Sequence, residues 1–349
     1  MSARRVTQSD IARIARVSQV AVSLALRNHP SLPEETRIHI REVADKLGYV
    51  PDASLSALNV YRNSIRAPTF RSTIAFLTNH DSEDGWQSLA SGKTYFTAGC
   101  VRADELGYKL EPFWLRQPGM TSKNASRILF NRGIRGIINA PQPRARAHLN
   151  LDWNRFSVVS LGYTMTRPAF HIVSNHHFRS MIILCRRLRS LGYRRLGLAI
   201  LGTIDERVDG NWSGAFLTEQ RKADISKPVP CLLPPTLKDW NFATFSKWYL
   251  KHRPDCIVTI HKDVPTFLKT LKVEIPKQVG VAWCNITDFS RNQAGINENA
   301  TVVGAAAVDL VVSMINRNEK GIPTVPHRIL IEGTWTPGST VLRRNLQTA

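Results

Sequence analysis

From Ser72 onward, short apolar segments alternate with stretches of helical periodicity, and this alternation constrains the possible folds more than any other feature of the sequence. Predicted strands cover residues 72–79, 109–115, 133–141, 156–162, 194–200, 255–260 and 278–284, and predicted helices lie near 94–107, 122–132, 174–191, 209–224 and 263–272. Such alternation is typical of parallel sheets that are covered by helices on both faces. The strands suffice for two doubly wound lobes, and a ligand would then bind in the cleft beyond their carboxyl ends.

The first fifty residues contain three short helical patterns. The first has apolar residues at helical spacing, and Thr7 and Asp10 fit a capping box at its start. Only two residues separate this pattern from Ser18, which can cap a second helix that begins at Gln19, and this spacing predicts a helix-turn-helix. The third pattern starts with a proline and two acidic residues and ends at Gly48. We therefore expect a small helical headpiece.

The segment between the headpiece and the predicted lobes differs from both. Residues 52–58 could form a helix, but one too short to be stable alone in water. Residues 62–71 contain arginines, a proline and no acids, a composition typical of a solvated linker. We therefore expect a helix-turn-helix headpiece at 1–51, a hinge helix and linker at 52–71, and a two-lobed core at 72–349.

The charge balance of the chain favours polyanionic partners. Its 47 Lys and Arg residues exceed its 27 Asp and Glu residues, which gives a formal charge of +20. Nucleic acid is the first candidate and a membrane surface the second. Residues 1–66 hold only ten of the basic and six of the acidic residues, so most of the excess lies in the core. Because the sequence has no signal segment and no apolar run of about 18 residues, we expect a cytoplasmic protein without a membrane span.

No motif in the sequence predicts catalysis or a cofactor. The five cysteines are widely separated, at positions 100, 185, 231, 256 and 284. They form no CxxC pair, so we interpret them as buried thiols rather than metal ligands. His176 and His177 are adjacent and would point in different directions on a helix, which argues against a shared metal. Phosphate-binding loops, zinc-protease motifs and nucleophile elbows are all missing, so we expect neither an enzyme nor a bound metal or cofactor.

Many positions of the chain agree in one register with a known headpiece signature. The agreeing segments of the first fifty residues are 6–12, 15–18, 22–23, 36–37 and 47–51. Further agreement follows at 106–108, 132–136, 191–195, 254–255, 276–281 and 338–340. On these residues the sequence resembles the lactose repressor (LacI/GalR) family of bacterial transcription regulators, and the resemblance covers nearly the whole chain.

The resemblance implies a core like that of periplasmic binding proteins and a function in gene regulation. In the family's core the chain crosses between the lobes three times, so the helix near 300–317 would return to the first lobe and the final strands to the second. The implied protein is a homodimeric repressor that binds a pseudo-palindromic operator in double-stranded DNA. A small-molecule effector between the lobes would control the operator affinity.

The resemblance also implies that the helix from Ser18 to about Arg27 enters the major groove and that Gln19, Val20 and Leu24 read the bases. A Gln side chain can pair with adenine, whereas Val can offer only apolar contact, for instance to a thymine methyl group. The position of Leu24 is often Arg in the family, so its operator base is expected to differ. In the alternative interpretation, Val20 and Leu24 are simply core residues.

Further DNA contacts are implied at positions that bind the sugar-phosphate backbone or the minor groove. The expected phosphate contacts come from Thr7, Ser18, Ser23, Arg27 and Thr36. Leu58 corresponds to the hinge-helix leucine that is inserted into the minor groove and kinks the DNA. The alternatives are that Thr7 and Ser18 only cap helices, which can coexist with phosphate binding, and that Leu58 is structural.

Residues 206–212 resemble the stretch where the family places an effector-binding arginine and an aromatic ring, and the candidate effector-binding residues that the resemblance implies are Arg207, Asn211 and Asn285. Arg207 and Asn211 are four apart, so we expect them on one helical face. Asn285 stands where sugar-binding members usually carry Asp, and Asn175 also stands where Asp is common. An amide lacks the charged grip of a carboxylate on a sugar diol, so a carbohydrate remains only one candidate class of effector.

Three aromatic residues are candidates for an apolar floor of the cleft, namely Phe76, Trp212 and Trp283. Their alternative role is in the hydrophobic core.

Two other functions remain open on the sequence alone. One is a two-lobed small-molecule binding protein without a DNA function, and the other is an α/β enzyme with an accessory DNA module. Deletion of residues 1–66 would separate them from a regulator, because either of them should keep its activity.

Overall fold

A computed structural model describes residues 6–26, 31–49, 72–88, 90–223, 227–286 and 289–344 of the chain. The headpiece consists of the helices α1 (Gln8–Ala15), α2 (Gln19–Leu26) and α3 (Glu34–Lys46). Ile11, Val22 and Ile40 are fully buried where the three helices meet. Arg16 takes a left-handed conformation that ends α1, and α2 begins three residues later. The predicted helix-turn-helix is therefore confirmed.

The first lobe contains a sheet of six parallel strands. These are β1 (Ser72–Thr78), β2 (Tyr108–Trp114), β3 (Gly136–Asn139), β5 (Ser157–Leu161), β7 (His171–Asn175) and β12 (Arg328–Ile331), in the order β12-β7-β5-β3-β1-β2. The covering helices are α4 (Ala90–Glu105), α5 (Ser122–Asn131) and α11 (Ala300–Asn316). Because side chains alternate along a strand, Ile74 and Phe76 pack on the side of α4 and α11, while Ala75 and Leu77 pack on the side of α5.

The second lobe contains a sheet of five strands. These are β8 (Leu196–Leu198), β9 (Cys256–Thr259), β10 (Gly280–Trp283), β11 (Ala294–Asn297) and β13 (Thr334–Thr336), in the order β13-β11-β10-β9-β8. Only the pairing of β13 with β11 is antiparallel among these strands. The helices are α6 (His177–Ser190), α7 (Gly202–Arg207), α8 (Asn211–Lys222), α9 (Phe242–His252) and α10 (Asp263–Thr270). A small ribbon of β4 (Ala147–His148) and β6 (Met165–Arg167) flanks the first lobe.

The chain crosses between the lobes three times, as the resemblance implies. The crossings lie between β7 and α6, between β11 and α11, and between β12 and β13. The helix α11 returns to the first lobe as expected, and β13 lies in the second. The expectation that all final strands join the second lobe was wrong for β12, which pairs with β7 in the first lobe. The expected division into headpiece, linker and core stays a prediction, since residues 50–71 lie outside the described residues.

Several element boundaries differ from the predicted ones. The helix predicted near 174–191 begins at His177, because residues 171–175 form the strand β7. The sequence patterns also missed β11, which is short and contains Ala and Gly, and α9. None of the helices in the described part of the chain is long and apolar enough to cross a membrane.

The buried amide of Asn175 joins the three crossings. Asn175 is the last residue of β7, and its Nδ2 donates to the carbonyl of Glu298 at 3.2 Å and to that of Ile331 at 3.0 Å. Its Oδ1 accepts a hydrogen bond from Ser180 at 2.9 Å. Glu298 lies on the second crossing, and Ile331 ends β12 where the third crossing begins, so one side chain connects all three crossing segments.

We expect Asn175→Ala to lower the free energy of unfolding by about 1–3 kcal/mol, because it removes three buried hydrogen bonds and leaves the Glu298 carbonyl without its amide donor. The Ile331 carbonyl still accepts from the His176 amide. Urea unfolding of the full chain measures this change. Asn131→Ala is the matched control, since Asn131 is exposed at the end of α5 and its replacement should change stability by less than about 0.5 kcal/mol. Equal effects of the two substitutions would contradict the role of Asn175.

Candidate functional site

Two predicted phosphate contacts, Thr7 and Ser18, cap the first two headpiece helices. The Thr7 hydroxyl accepts from the Asp10 amide at 3.3 Å, and the Asp10 carboxylate accepts from the Thr7 amide at 2.9 Å. The Ser18 hydroxyl accepts from the Ala21 amide at 3.1 Å. Both cap residues remain exposed. Capping is therefore present in the structure and leaves room for a phosphate contact.

The helix α2 presents one open face. Gln19 is exposed and Val20 is 68% exposed, whereas Val22 and Ala25 are fully buried. The interpretation of Val20 as a core residue is therefore wrong, and its isopropyl group is available to a partner. Leu24 is half-buried, so it contributes to the core as well as to the rim of this face.

The remaining predicted DNA contacts are either half-buried or outside the described residues. Ser23 is half-buried on α2, and Thr36 is half-buried in the first turn of α3. Arg27, Leu58 and the expected hinge helix lie outside the described residues, so their roles stay predictions.

A pair of valine substitutions separates the open face of α2 from its buried face. We expect Val20→Ala to change headpiece stability by less than about 0.5 kcal/mol, whereas Val22→Ala should lower it by about 1–3 kcal/mol because it leaves a cavity. Hydrogen exchange of the headpiece amides in the full chain reports both values. A large destabilisation by Val20→Ala would show that Val20 is part of the core.

The two lobes enclose a cleft at the carboxyl ends of their parallel strands, as predicted. Its volume is about 160 Å³. The first lobe contributes Ser91, Tyr95, Pro141, Gly162, Tyr163, Thr164 and Ser174, and the second contributes His177, Ile204, Arg207, Val208, Trp212, Ile260 and Asn285. Glu298, at the second crossing, completes the lining. The cleft therefore combines ionisable and amide groups with aromatic rings.

Arg207 reaches from the second lobe to the first. Its Nη1 donates to the carbonyl of Gln142 at 2.6 Å and to that of Pro143 at 2.7 Å, just beyond the strand β3. Burial lowers the pKa of Arg207 from its usual value. The guanidinium therefore closes one side of the cleft through two charge-assisted hydrogen bonds.

The expectation that Arg207 and Asn211 share a helical face was wrong. The helix α7 ends at Arg207, Asp209 and Gly210 take positive φ angles of 58° and 68°, and α8 begins at Asn211. The side-chain amide of Asn211 donates through Nδ2 to the Val208 carbonyl at 2.6 Å and so stabilises the turn. Asn211 is not among the described residues that line the cleft.

Asn285 lines the cleft beside a buried carboxyl group that sequence reasoning missed. Its Nδ2 donates to Oε2 of Glu298 at 2.7 Å, and Glu298 is only 4% exposed. Nδ1 of His177 lies 3.0 Å from the other oxygen, Oε1, without hydrogen-bond geometry. Glu298 and His177 come from different crossings, so only the tertiary fold shows that they form one polar group.

The aromatic predictions were right only for Trp212. Its ring lies edge-on to the His177 ring, with the centroids 5.5 Å apart, and both line the cleft. Phe76 lies in the core of the first lobe and Trp283 in that of the second, so their assignment to the cleft floor was wrong. Tyr95 also lines the cleft, and burial followed by the charge of Glu298 raises the pKa of its hydroxyl.

We expect Arg207→Ala to weaken the contact between the lobes, since it removes both hydrogen bonds to the carbonyls of Gln142 and Pro143. Hydrogen bonds of a charged donor contribute about 1.5–3 kcal/mol each, so amide exchange in the loop at 141–147 should become at least about tenfold faster. Arg221→Ala, at an exposed position near the end of α8, provides the control. Unchanged exchange in the Arg207 variant would contradict a closing role.

Comparison with known sequences finds a family model and a repressor that are each similar to a short part of the chain. Residues 7–52 match the family model for bacterial regulatory proteins of the lacI family. Over 58 residues, the chain is 40% identical to the probable HTH-type transcriptional repressor ExuR of Bacillus subtilis (strain 168). This alignment covers 17% of the chain and 17% of that repressor, so less than a fifth of the relative's length is matched.

Solved structures resemble the whole chain. The Lac repressor dimer bound to operator and the anti-inducer ONPF has a TM-score of 0.56 and 16% identity, over 97% of this chain and 100% of that one. A complex of the transcriptional regulator CelR with cellobiose has a TM-score of 0.56 and 15% identity, over 96% of this chain and 100% of that one. At such low identities the likeness establishes the fold alone.

The fold and the matched headpiece define a chain with a helix-turn-helix domain followed by a two-lobed, periplasmic-binding-protein-like core. Residues 7–52 of the helix-turn-helix domain are similar to the lacI family of bacterial regulatory proteins. The core has the fold of the Lac repressor and CelR structures.

Proposed function

We propose that the chain is a sequence-specific transcriptional regulator, and specifically a repressor, whose operator affinity is controlled by a small molecule in the cleft. The observation that carries this proposal is the combination of a LacI-family headpiece, which leaves one face of α2 open, with a cleft between two lobes. The headpiece corresponds to residues 1–51, the hinge helix and linker to 52–71, and the effector-binding and dimerisation core to 72–349. The regulator acts as a homodimer in the bacterial cytoplasm, on the nucleoid.

The open face of α2 supports base reading by Gln19 and Val20, with Leu24 at its rim. Side chains near the start of a recognition helix are those that reach base edges in the major groove. Thr7, Ser18, Ser23, Arg27 and Thr36 contact phosphates in this proposal, and Leu58 enters the minor groove. A homodimer places two headpieces on the half-sites of a pseudo-palindromic operator.

The chemistry of the cleft supports a small polar effector, with a carbohydrate as the leading class. Asn285 and the carboxyl group of Glu298 can bind hydroxyl groups, and the ring of Trp212 can cover an apolar face of the ligand. Arg207 adds charged donors once its contact with the first lobe opens. Asn211, the first residue of α8, turns its side chain back to the Val208 carbonyl, which does not support a direct contact with the effector.

The position of Glu298 and His177 supports a route from the effector to the DNA. Both residues line the cleft and belong to chain crossings between the lobes, next to the amide of Asn175. A ligand that binds them favours one relative orientation of the lobes. Because the headpiece is linked to the start of β1, this orientation sets the spacing of the two headpieces in the dimer.

The proposal predicts a specific result from selection of duplexes out of a random library at fixed, near-physiological salt. We expect a palindromic consensus of about 14–20 base pairs, which two half-sites about one helical turn apart would give. Gln19→Ala should relax the preference at one symmetric position and leave the others unchanged. Salt-sensitive binding without a consensus would contradict the proposal and favour a small-molecule binding protein that only attracts polyanions.

A further inference from the structure

The amino ends of the first-lobe strands form one edge of the molecule. All six strands are parallel, so their first residues lie side by side, opposite the cleft. The chain enters the core at this edge, where the Ser72 hydroxyl donates to the Gly133 carbonyl at 3.2 Å. The headpiece is therefore tethered to the core at this edge.

Five exposed basic residues lie along this edge, and we call them the lower basic surface. They are Arg132, Arg135, Arg155, Arg317 and Lys320. Arg132 and Arg317 are the C-caps of α5 and α11, while Arg135 and Arg155 closely precede β3 and β5. The Ser157 hydroxyl donates to the Glu319 carbonyl at 2.6 Å, which holds the loop of Lys320 against the start of β5.

Three of these arginines are paired with carboxylates, and two of the basic residues are not. The pairs are Arg132 with Glu111, Arg155 with Asp152, and Arg317 with Glu319. Among the described residues, no carboxylate forms an ion pair with Arg135 or Lys320. The Glu319 carboxylate, the nearest acid along the chain to Lys320, is bound by Arg317 and His171.

Arg135 and Lys320 lie close enough to repel each other. Partial burial of its ammonium group, and then the positive charge of Arg135, lower the pKa of Lys320 from its usual value, although the residue as a whole is exposed. The Ser157 amide donates to the Arg135 carbonyl at 2.8 Å, so both residues border the start of β5. Two unneutralised positive charges are thus held together on an exposed edge, which favours an anionic partner.

We propose that the lower basic surface, through Arg135 and Lys320, contacts the phosphate backbone of the same DNA that the headpiece binds. This inference rests on the proposed function of the headpiece. The chain joins the headpiece to the core at this edge, and duplex DNA presents one negative charge about every 1.7 Å along its axis. Most of the formal charge of +20 lies outside residues 1–66, so the core carries the positive charge that a contact with DNA needs.

The test compares the salt dependence of DNA binding for the full chain and for Arg135→Gln/Lys320→Gln. The probe is the selected operator in a duplex of about 40 base pairs, long enough to extend beyond both half-sites. Removal of one phosphate contact should reduce the slope of log affinity against log salt by about 0.9, so the slope for a dimer should fall by about 2–4. The selected consensus should not change, because phosphate contacts carry no base information.

Lys247→Gln/Lys269→Gln is the matched control, since it removes the same charge from exposed positions on α9 and α10 of the second lobe. Its slope should equal that of the wild type, and Arg135→Lys/Lys320→Arg should retain the wild-type slope. An unchanged slope in the Arg135/Lys320 double Gln variant, or an equal reduction in the control, would overturn the inference.

Failure of the inference can be distinguished from failure of the proposed function. Absence of any consensus for the wild type contradicts the proposed function. The slopes can then still be compared on a duplex of scrambled sequence, because phosphate contacts do not require an operator. A smaller slope for the Arg135/Lys320 double Gln variant on that duplex supports the surface as a DNA contact, and equal slopes reject it.

Discussion

The core depends on the buried amide of Asn175, which holds the three chain crossings together. A polar side chain at this depth is stable only because each of its polar atoms is hydrogen-bonded. Nδ2 donates to two carbonyl groups, and Oδ1 accepts from the Ser180 hydroxyl. Two other residues on these crossings, His177 and Glu298, line the cleft. The chain crossings and the candidate ligand site therefore share residues, so a ligand in the cleft would contact the segments that join the two lobes.

The sequence predicted the parts of the fold that depend on local patterns. Helical spacing and caps near Thr7 and Ser18 predicted the headpiece, and alternating apolar runs predicted most strands of both sheets. Spacing alone failed between Arg207 and Asn211, because two residues with positive φ break the helix there. It also could not find Glu298, because His177, whose Nδ1 lies 3.0 Å from the Glu298 carboxylate, is 121 positions earlier in the chain and comes near it only through the crossings between the lobes.

The basic residues of the core extend the DNA-binding function that is proposed for the headpiece. Exposed side chains of α2 such as Val20 can distinguish bases, but they add little long-range attraction. Basic residues on the core, such as Arg135 and Lys320, can add affinity without changing which sequence is preferred. On this proposal, specificity and overall affinity come from different parts of one chain, which enters the core at Ser72.

The central claim is that occupancy of the cleft changes the affinity for DNA. Its most direct test measures the affinity for the selected operator at fixed salt, with and without saturating amounts of a small molecule that raises the melting temperature of the chain but not that of Glu298→Gln. We expect the operator affinity to change by about 5–150-fold, which corresponds to a coupling free energy of about 1–3 kcal/mol. An operator affinity that stays the same at full occupancy of the cleft would contradict the account.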